Sequence, residues 1–196
     1  MREGIRTCGR CTMDTQFNVF EILQIAEEVQ TKAAQFCLHA AERFADEERR
    51  NLYYSLANWR AKHRDTWRRI RRRYSERTGE FGVFDPDNYV LSNPWIMAGL
   101  TGYGTGPSGR ERPTGSETKE QILHDAIRRS QGIIIFYHGL KEFARGPDSH
   151  MIIDNMIGQE EQHVRLLSHE LERLPAATEE GESPTPACWG ELERQR

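Results

Sequence analysis

Apolar residues recur at steps of three and four through four stretches of about thirty residues each, a pattern that confines the chain to long amphipathic helices. The first stretch, 15–46, puts Val19, Ile22, Leu23, Ala26, Val29, Ala33, Phe36, Cys37, Ala40 and Phe44 on one face. The second, 47–78, carries Leu52, Leu56, Trp59, Trp67, Ile70 and Tyr74 and meets Gly79, the residue type that closes helix C-termini. The third, 118–145, runs through Ile122, Ala126, Ile133, Tyr137, Leu140 and Ala144 to a stop at Gly146-Pro147. The fourth follows at once through Ile152, Met156, Val164, Leu167, Leu171 and Leu174 and stops before Pro175. Helices of this length are about 45 Å long at about 1.5 Å per residue. Short joints make two antiparallel hairpins, whereas residues 79–117, rich in Gly, Pro, Asn and Thr, are enough chain to run the length of a bundle. The expected fold is all-α: a four-helix bundle over 15–174 with one long crossover between helices 2 and 3, the ferritin-like connectivity. Tails of 1–14 and 175–196 flank it, and Asn93-Pro94-Trp95 followed by Ile96-Met97-Ala98 is read as opening a short capped helix within the crossover.

Each stripe is interrupted near its middle by polar side chains, which cost free energy when buried unless they are paired. Helix 1 has Gln30, helix 2 has Arg60 and His63, helix 3 has Ser130, and helix 4 has Glu160 and His163. In an up-down bundle all six converge at mid-height. Carboxylate-bridged dimetal bundles have this layout: a Glu from each of two helices and a Glu-x-x-His pair from each of the others, the spacing that sets carboxylate and imidazole on one face.

At this point the sequence resembles the ferritin-like superfamily and, within it, the rubrerythrin-like proteins. The resemblance is carried by Ile25-Ala26 through Phe36-Cys37, Leu56-Ala57 through His63, Ala126-Ile127 through Leu140, and most specifically Gln159-Glu160-Glu161-Gln162-His163. It implies metal ligands position by position, and the departures matter more than the matches. Gln30 stands where the first-helix Glu is expected, Arg60 where the Glu of the first Glu-x-x-His pair belongs, and Ser130 where the third-helix Glu belongs. Cys37 replaces a family Tyr. Only Glu160 with His163 is complete, with His63 left from the other pair.

A complete site offers four carboxylates. Here Glu160 remains and Arg60 offsets it, so hard ions held by imidazole, amide and hydroxyl beside a guanidinium would be poorly compensated. The expected arrangement is a buried Arg60–Glu160 ion pair in place of the metals, without a cofactor. The alternative is a single iron or zinc ion held by His63, Glu160 and His163, which requires Arg60 to swing away or Glu27, one turn before Gln30, to help.

Other signals are weaker. Cys8-x-x-Cys11 is half of a zinc or rubredoxin-like knuckle, a redox dithiol, or a plain tail; a four-thiolate site would need Cys188 or a second chain. Four cysteines do not make a disulfide scaffold in 196 residues, so reduced thiols are expected. Residues 60–77 hold nine basic residues against two acidic ones, with Trp67 and Tyr74 interleaved. On composition this resembles a nucleic-acid patch, although basic residues near a helix C-terminus also complement its dipole. The Gly102–Gly115 run lacks the Lys-Ser/Thr ending of a phosphate loop, and His124, His138, His150 and His169 fall off the apolar stripes.

The mean hydropathy of −0.76, with no apolar run near the roughly 20 residues of a spanning helix, argues against an integral membrane protein. Nor does an apolar stretch follow the charged start of the chain, so the expected location is the cytoplasm. The functional expectation is a non-catalytic binding, scaffold or regulatory protein that pairs as a homodimer. The alternatives are an iron-dependent oxidoreductase acting on peroxide or oxygen, and nucleic-acid binding through 60–77.

Overall fold

The computed structural model describes residues 17–82, 97–103 and 112–175. Within them the chain forms four long helices: α1 (Val19–Ala41), α2 (Glu47–Thr78), α3 (Lys119–Lys141) and α4 (Gly146–Glu172). No helix among the described residues is long and apolar enough to cross a membrane.

Capping chemistry sets the boundaries. At α1 the Asn18 side chain accepts from the Glu21 N–H while the Glu21 carboxylate accepts from the Asn18 N–H, a reciprocal box that begins the helix later than residue 15. Thr118 and Gln121 do the same for α3. Asp46 caps α2, which ends at Gly79 in the left-handed region with φ +70°. Gly146 and Pro147, expected as a stop, instead form the first turn of α4, where proline's missing N–H costs nothing.

Two helices end earlier than their apolar patterns. After Ala41, Arg43 and Phe44 continue in three-residue turns, the Phe44 N–H reaching the Ala41 carbonyl at 3.2 Å, and Phe44 stays buried. The same happens after Lys141, where Phe143 and Ala144 turn back onto Leu140 and Lys141. A tightened last turn keeps side chains near their helical phase, so periodicity overshoots the helix.

The ends show how the helices are arranged. Phe17 donates to the Phe143 carbonyl at 2.7 Å and accepts from Arg145 at 2.8 Å, tying the start of α1 to the α3–α4 joint. Asn18 also donates to the Phe81 carbonyl, which brings in the end of α2. At the opposite end Arg49, early in α2, donates to the Glu117 carbonyl just before α3, and Lys119 reaches Glu170 near the end of α4 at 3.7 Å. Hence α1 and α2 form one antiparallel hairpin, α3 and α4 another, and residues 79–118 connect opposite ends of the molecule. Of the short crossover helix, only Met97–Tyr103 lies within the described residues; there Leu100 and Thr101 close turns onto Met97 and Ala98.

The core has two apolar clusters. One gathers Ile22, Leu23, Ala26, Trp67, Ile133, Tyr137, Ile153 and Met156. The other gathers Cys37, Phe44, Leu52, Leu56, Ile122, Leu123 and Leu167. On α2, α3 and α4 the residues between the clusters are Arg60, Ser130, and Glu160 with His163, all buried.

Segment 112–118 leads into α3 over the end of α1. Gly115 makes this approach possible: its φ is +97°, and an added Cβ would lie 2.5 Å from the Arg43 carbonyl oxygen. Gly115→Ala should therefore lower stability by about 1–3 kcal/mol, more than Gly79→Ala, whose φ is also positive but whose Cβ would meet open space. Urea unfolding of both variants checks this; equal losses would show that the contact with Arg43 is not limiting.

Candidate functional site

Arg60 lies on the buried side of α2 at 1% exposure, among the largest fully buried side chains of the described residues. Its Nη1 donates to both oxygens of Glu160 on α4, at 2.7 and 2.8 Å, and lies 3.3 Å from the Gln30 Oε1 on α1. Its Nη2 donates to Ser130 Oγ on α3 at 2.7 Å and to the Tyr103 hydroxyl at 3.4 Å. Gln30 completes the ring by donating its Nε2 to Glu160 Oε1 at 2.7 Å. One guanidinium thus joins a carboxylate, an amide and a hydroxyl from the other three helices. Burial alone would lower the Arg60 pKa, but the Glu160 carboxylate and Tyr103 outweigh it and hold the guanidinium above its ordinary value.

The two imidazoles expected beside Glu160 are placed differently. Trp59 stacks on His63 at 3.8 Å between ring centroids and on His163 at 3.7 Å, with interplanar angles of 26° and 14°. Two nearly parallel rings this close to one indole must lie on its opposite faces, because on one face they would overlap. His63 Nδ1 lies 2.7 Å from Gln159 Oε1, and because that oxygen accepts, Nδ1 carries the proton. His163 Nδ1 is buried without a hydrogen-bond partner among the described residues. Burial, then the charge of Arg60, then His63 push the His163 pKa down to about 2, and burial lowers that of His63 as well. Both rings are neutral, as their position beside a guanidinium requires. Arg60 itself sits 4.8 Å from the Trp59 centroid and 5.3 Å from that of Tyr103, so its positive charge faces ring π-density.

This geometry does not fit a metal centre. An indole separates the imidazoles, and both Glu160 oxygens accept from Arg60, so the set His63, Glu160 and His163 is not gathered around a common point. Glu27 does not supply the missing ligand. It accepts from Arg68 Nε at 2.7 Å and from Arg71 Nη2 at 2.8 Å. Among the described residues no group of three or more His, Cys, Asp or Glu could hold a metal ion.

Part of the basic run 60–77 is tied into the fold, while Lys62, Arg68, Arg69, Arg72, Arg73 and Arg77 are exposed. Arg60 and Trp67 are buried, Arg68 and Arg71 hold Glu27, Arg64 pairs with Asp65 at 2.9 Å, and Tyr74 donates to Glu80. Of its aromatic rings, Trp67 is buried and Tyr74 is half-buried. Cys37 is buried in the second cluster, which pushes its thiol up to about 12, while Cys8, Cys11 and Cys188 lie outside the described residues. His124, His138, His150 and His169 are exposed.

Five residues of the site were not singled out by sequence. Trp59 was assigned to an apolar stripe, although its i, i+4 spacing to His63 already permits stacking. Gln159 adjoins Glu160, and Arg68 and Arg71, three apart on α2, were readable as a clamp for an acid on α1. Tyr103 comes from the crossover, where no periodicity points inward. Comparison of the chain with protein-family models, curated proteins and solved structures finds no match.

Removing one partner of a buried ion pair strands the other, so Arg60→Met or Glu160→Leu alone should cost about 3–5 kcal/mol, whereas the double variant should be more stable than either. Urea unfolding of the three proteins tests this, and additive losses would show that the two groups are uncoupled. The depressed His163 pKa fixes a second sign. The unfolded chain takes up a proton below about pH 6.5 that the native state refuses until about 2. Stability is therefore complete above about 6.5 and falls as pH drops, by up to about 1.4 kcal/mol per pH unit from this group. His163→Phe should flatten that slope between pH 6 and 5; an unchanged slope would mean that His163 protonates normally in the fold.

Proposed function

We propose that this chain is a ferritin-like, rubrerythrin-like bundle in which a buried guanidinium–carboxylate pair stands where a carboxylate dimetal centre would be, and that it acts as a non-catalytic binding, scaffold or regulatory protein. One observation carries the reading: Arg60 Nη1 lies 2.7 and 2.8 Å from the two Glu160 oxygens. Those are the lone pairs a metal would need, and a permanently charged group occupies them. Two antiparallel hairpins joined by a lengthwise crossover support the kinship, since this is the ferritin-like connectivity. Oxidoreductase chemistry at a reduced site would require Arg60 to release Glu160 and Trp59 to leave its place between the imidazoles, and no contact favours either movement.

Full-length protein produced in iron-supplemented medium and analysed for metals should hold iron well below one atom per chain, with the same content in Glu160→Ala. Anaerobic addition of ferrous iron followed by air or peroxide should give no ligand-to-metal absorption band. Stoichiometric iron that disappears on Glu160→Ala would overturn the reading.

A further inference from the structure

Beside the last turns of α1 lies a cavity of about 650 Å³, within the roughly 300–1,000 Å³ typical of small-molecule sites. Lys32, Phe36 and His39 on α1 and Arg43 in the turn after it line it at steps of four, three and four, together with Tyr103 and Arg112. The lining carries two permanent guanidiniums, Arg43 and Arg112, with Lys32, whose ammonium is also acted on by Glu28, against one lining carboxylate, Glu42, in a chain whose formal net charge is −3. Other arginines of the bundle are held by an acid: Arg49 has Asp46, Arg64 has Asp65, Arg68 and Arg71 share Glu27, and Arg129 has Asp125. Among the described residues Arg43 and Arg112 are offered no carboxylate.

The apolar part of the cavity is ordered from behind. The Phe36 and Tyr103 rings meet edge to face at 5.4 Å, and the Arg129 guanidinium lies 4.1 Å from the Phe36 centroid, while Arg129 is itself held by Asp125 at 2.6 Å. The negative end of the α1 dipole points here and would repel an anion, so the cationic lining must outweigh it. Two guanidiniums lining one cavity with aromatic rings match an anion with a flat apolar body, since the fork geometry of Arg suits carboxylate and phosphate alike.

We infer that this cavity binds a small aromatic anion, its carboxylate or phosphate held between Arg43 and Arg112 and its ring laid against Phe36 and Tyr103. The site is separate from the Arg60–Glu160 layer and does not depend on whether that layer holds metal. Isothermal titration of the full chain with 1-naphthyl phosphate, 1-naphthoate and inorganic phosphate tests it. At least one naphthyl probe should bind one per chain at sub-millimolar concentration, and the two probes together tell phosphate from carboxylate preference. Inorganic phosphate should bind at least about tenfold more weakly than the better naphthyl probe, and Arg43→Gln and Arg112→Gln should each weaken that probe about tenfold or more. Both arginines are exposed, so the variants should keep the helical circular dichroism of the parent. No naphthyl binding at millimolar concentration would overturn the inference. So would an affinity indifferent to both substitutions, or inorganic phosphate binding as tightly as the naphthyl probes.

Discussion

The contact between Arg60 and Glu160 is the constraint to which the other parts of the bundle conform. An isolated charge in an apolar interior costs several kcal/mol, so neither residue is tolerable at 1% exposure without the other. Their remaining hydrogen-bonding capacity is met by Gln30 from α1, Ser130 from α3 and Tyr103 from the crossover. Sliding any one helix by a turn, about 5.4 Å, would remove a partner and leave a buried polar group unpaired. The layer therefore fixes the register of the helices at mid-height. The two apolar clusters that flank it keep water away, which raises both the cost of breaking the pair and the precision with which it specifies one packing.

The same guanidinium governs its aromatic neighbours. With Arg60 close by, a proton on either imidazole would add a second positive charge in a buried layer whose only carboxylate is already committed. Neutral His63 and His163 can instead stack on Trp59, whose π-density also faces the guanidinium. Neutral rings, a stacked indole and a single ion pair are thus one electrostatic solution. Any added cation, whether a proton or a metal, enters it uncompensated.

The helices were legible because their stripes are long, and α2 coincides with its expected span of 47–78 because Gly79 closes its C-terminus and the Asp46 side chain caps its N-terminus. The ends of α1 and α3 were not, since Phe44 and Ala144 keep helical phase in turns outside the helix, and the Asn18–Glu21 box was overlooked beneath an apolar pattern that began earlier. At the site, a count of charges alone pointed to Arg60 facing Glu160, because two opposite charges on facing buried stripes have few other options. Gln30 and Ser130 followed from their phase. The imidazoles did not: phase shows that His63 and His163 point inward but not that Trp59, one residue from Arg60, comes between them. That depends on side-chain volume at one level of the bundle, which one-dimensional spacing does not encode. Tyr103 was out of reach for another reason, as it arrives from a segment without periodicity.

On the proposed kinship with dimetal bundles, the residues Gln30, Arg60 and Ser130 form one set. In a dimetal bundle, four carboxylates balance two divalent ions, so the layer is neutral. Removing a single carboxylate leaves an excess of positive charge if the ions stay, and removing all three without adding a cation leaves Glu160 alone and buried. Gln30 and Ser130 take away two negative charges without adding any, and Arg60 removes a third while supplying the one positive charge that Glu160 needs. The layer becomes neutral again with no ion to capture. Lysine would not serve as well, because its point charge has three donors on a flexible stem and loses its proton more readily on burial. A guanidinium keeps its charge and reaches carboxylate, amide and hydroxyl from three directions, which is the bridging role a metal would otherwise perform. A chain with 23 arginines and four lysines already favours that group elsewhere, at the Glu27 clamp and beneath Phe36. At mid-height the same chemistry neutralises Glu160 without an added ion.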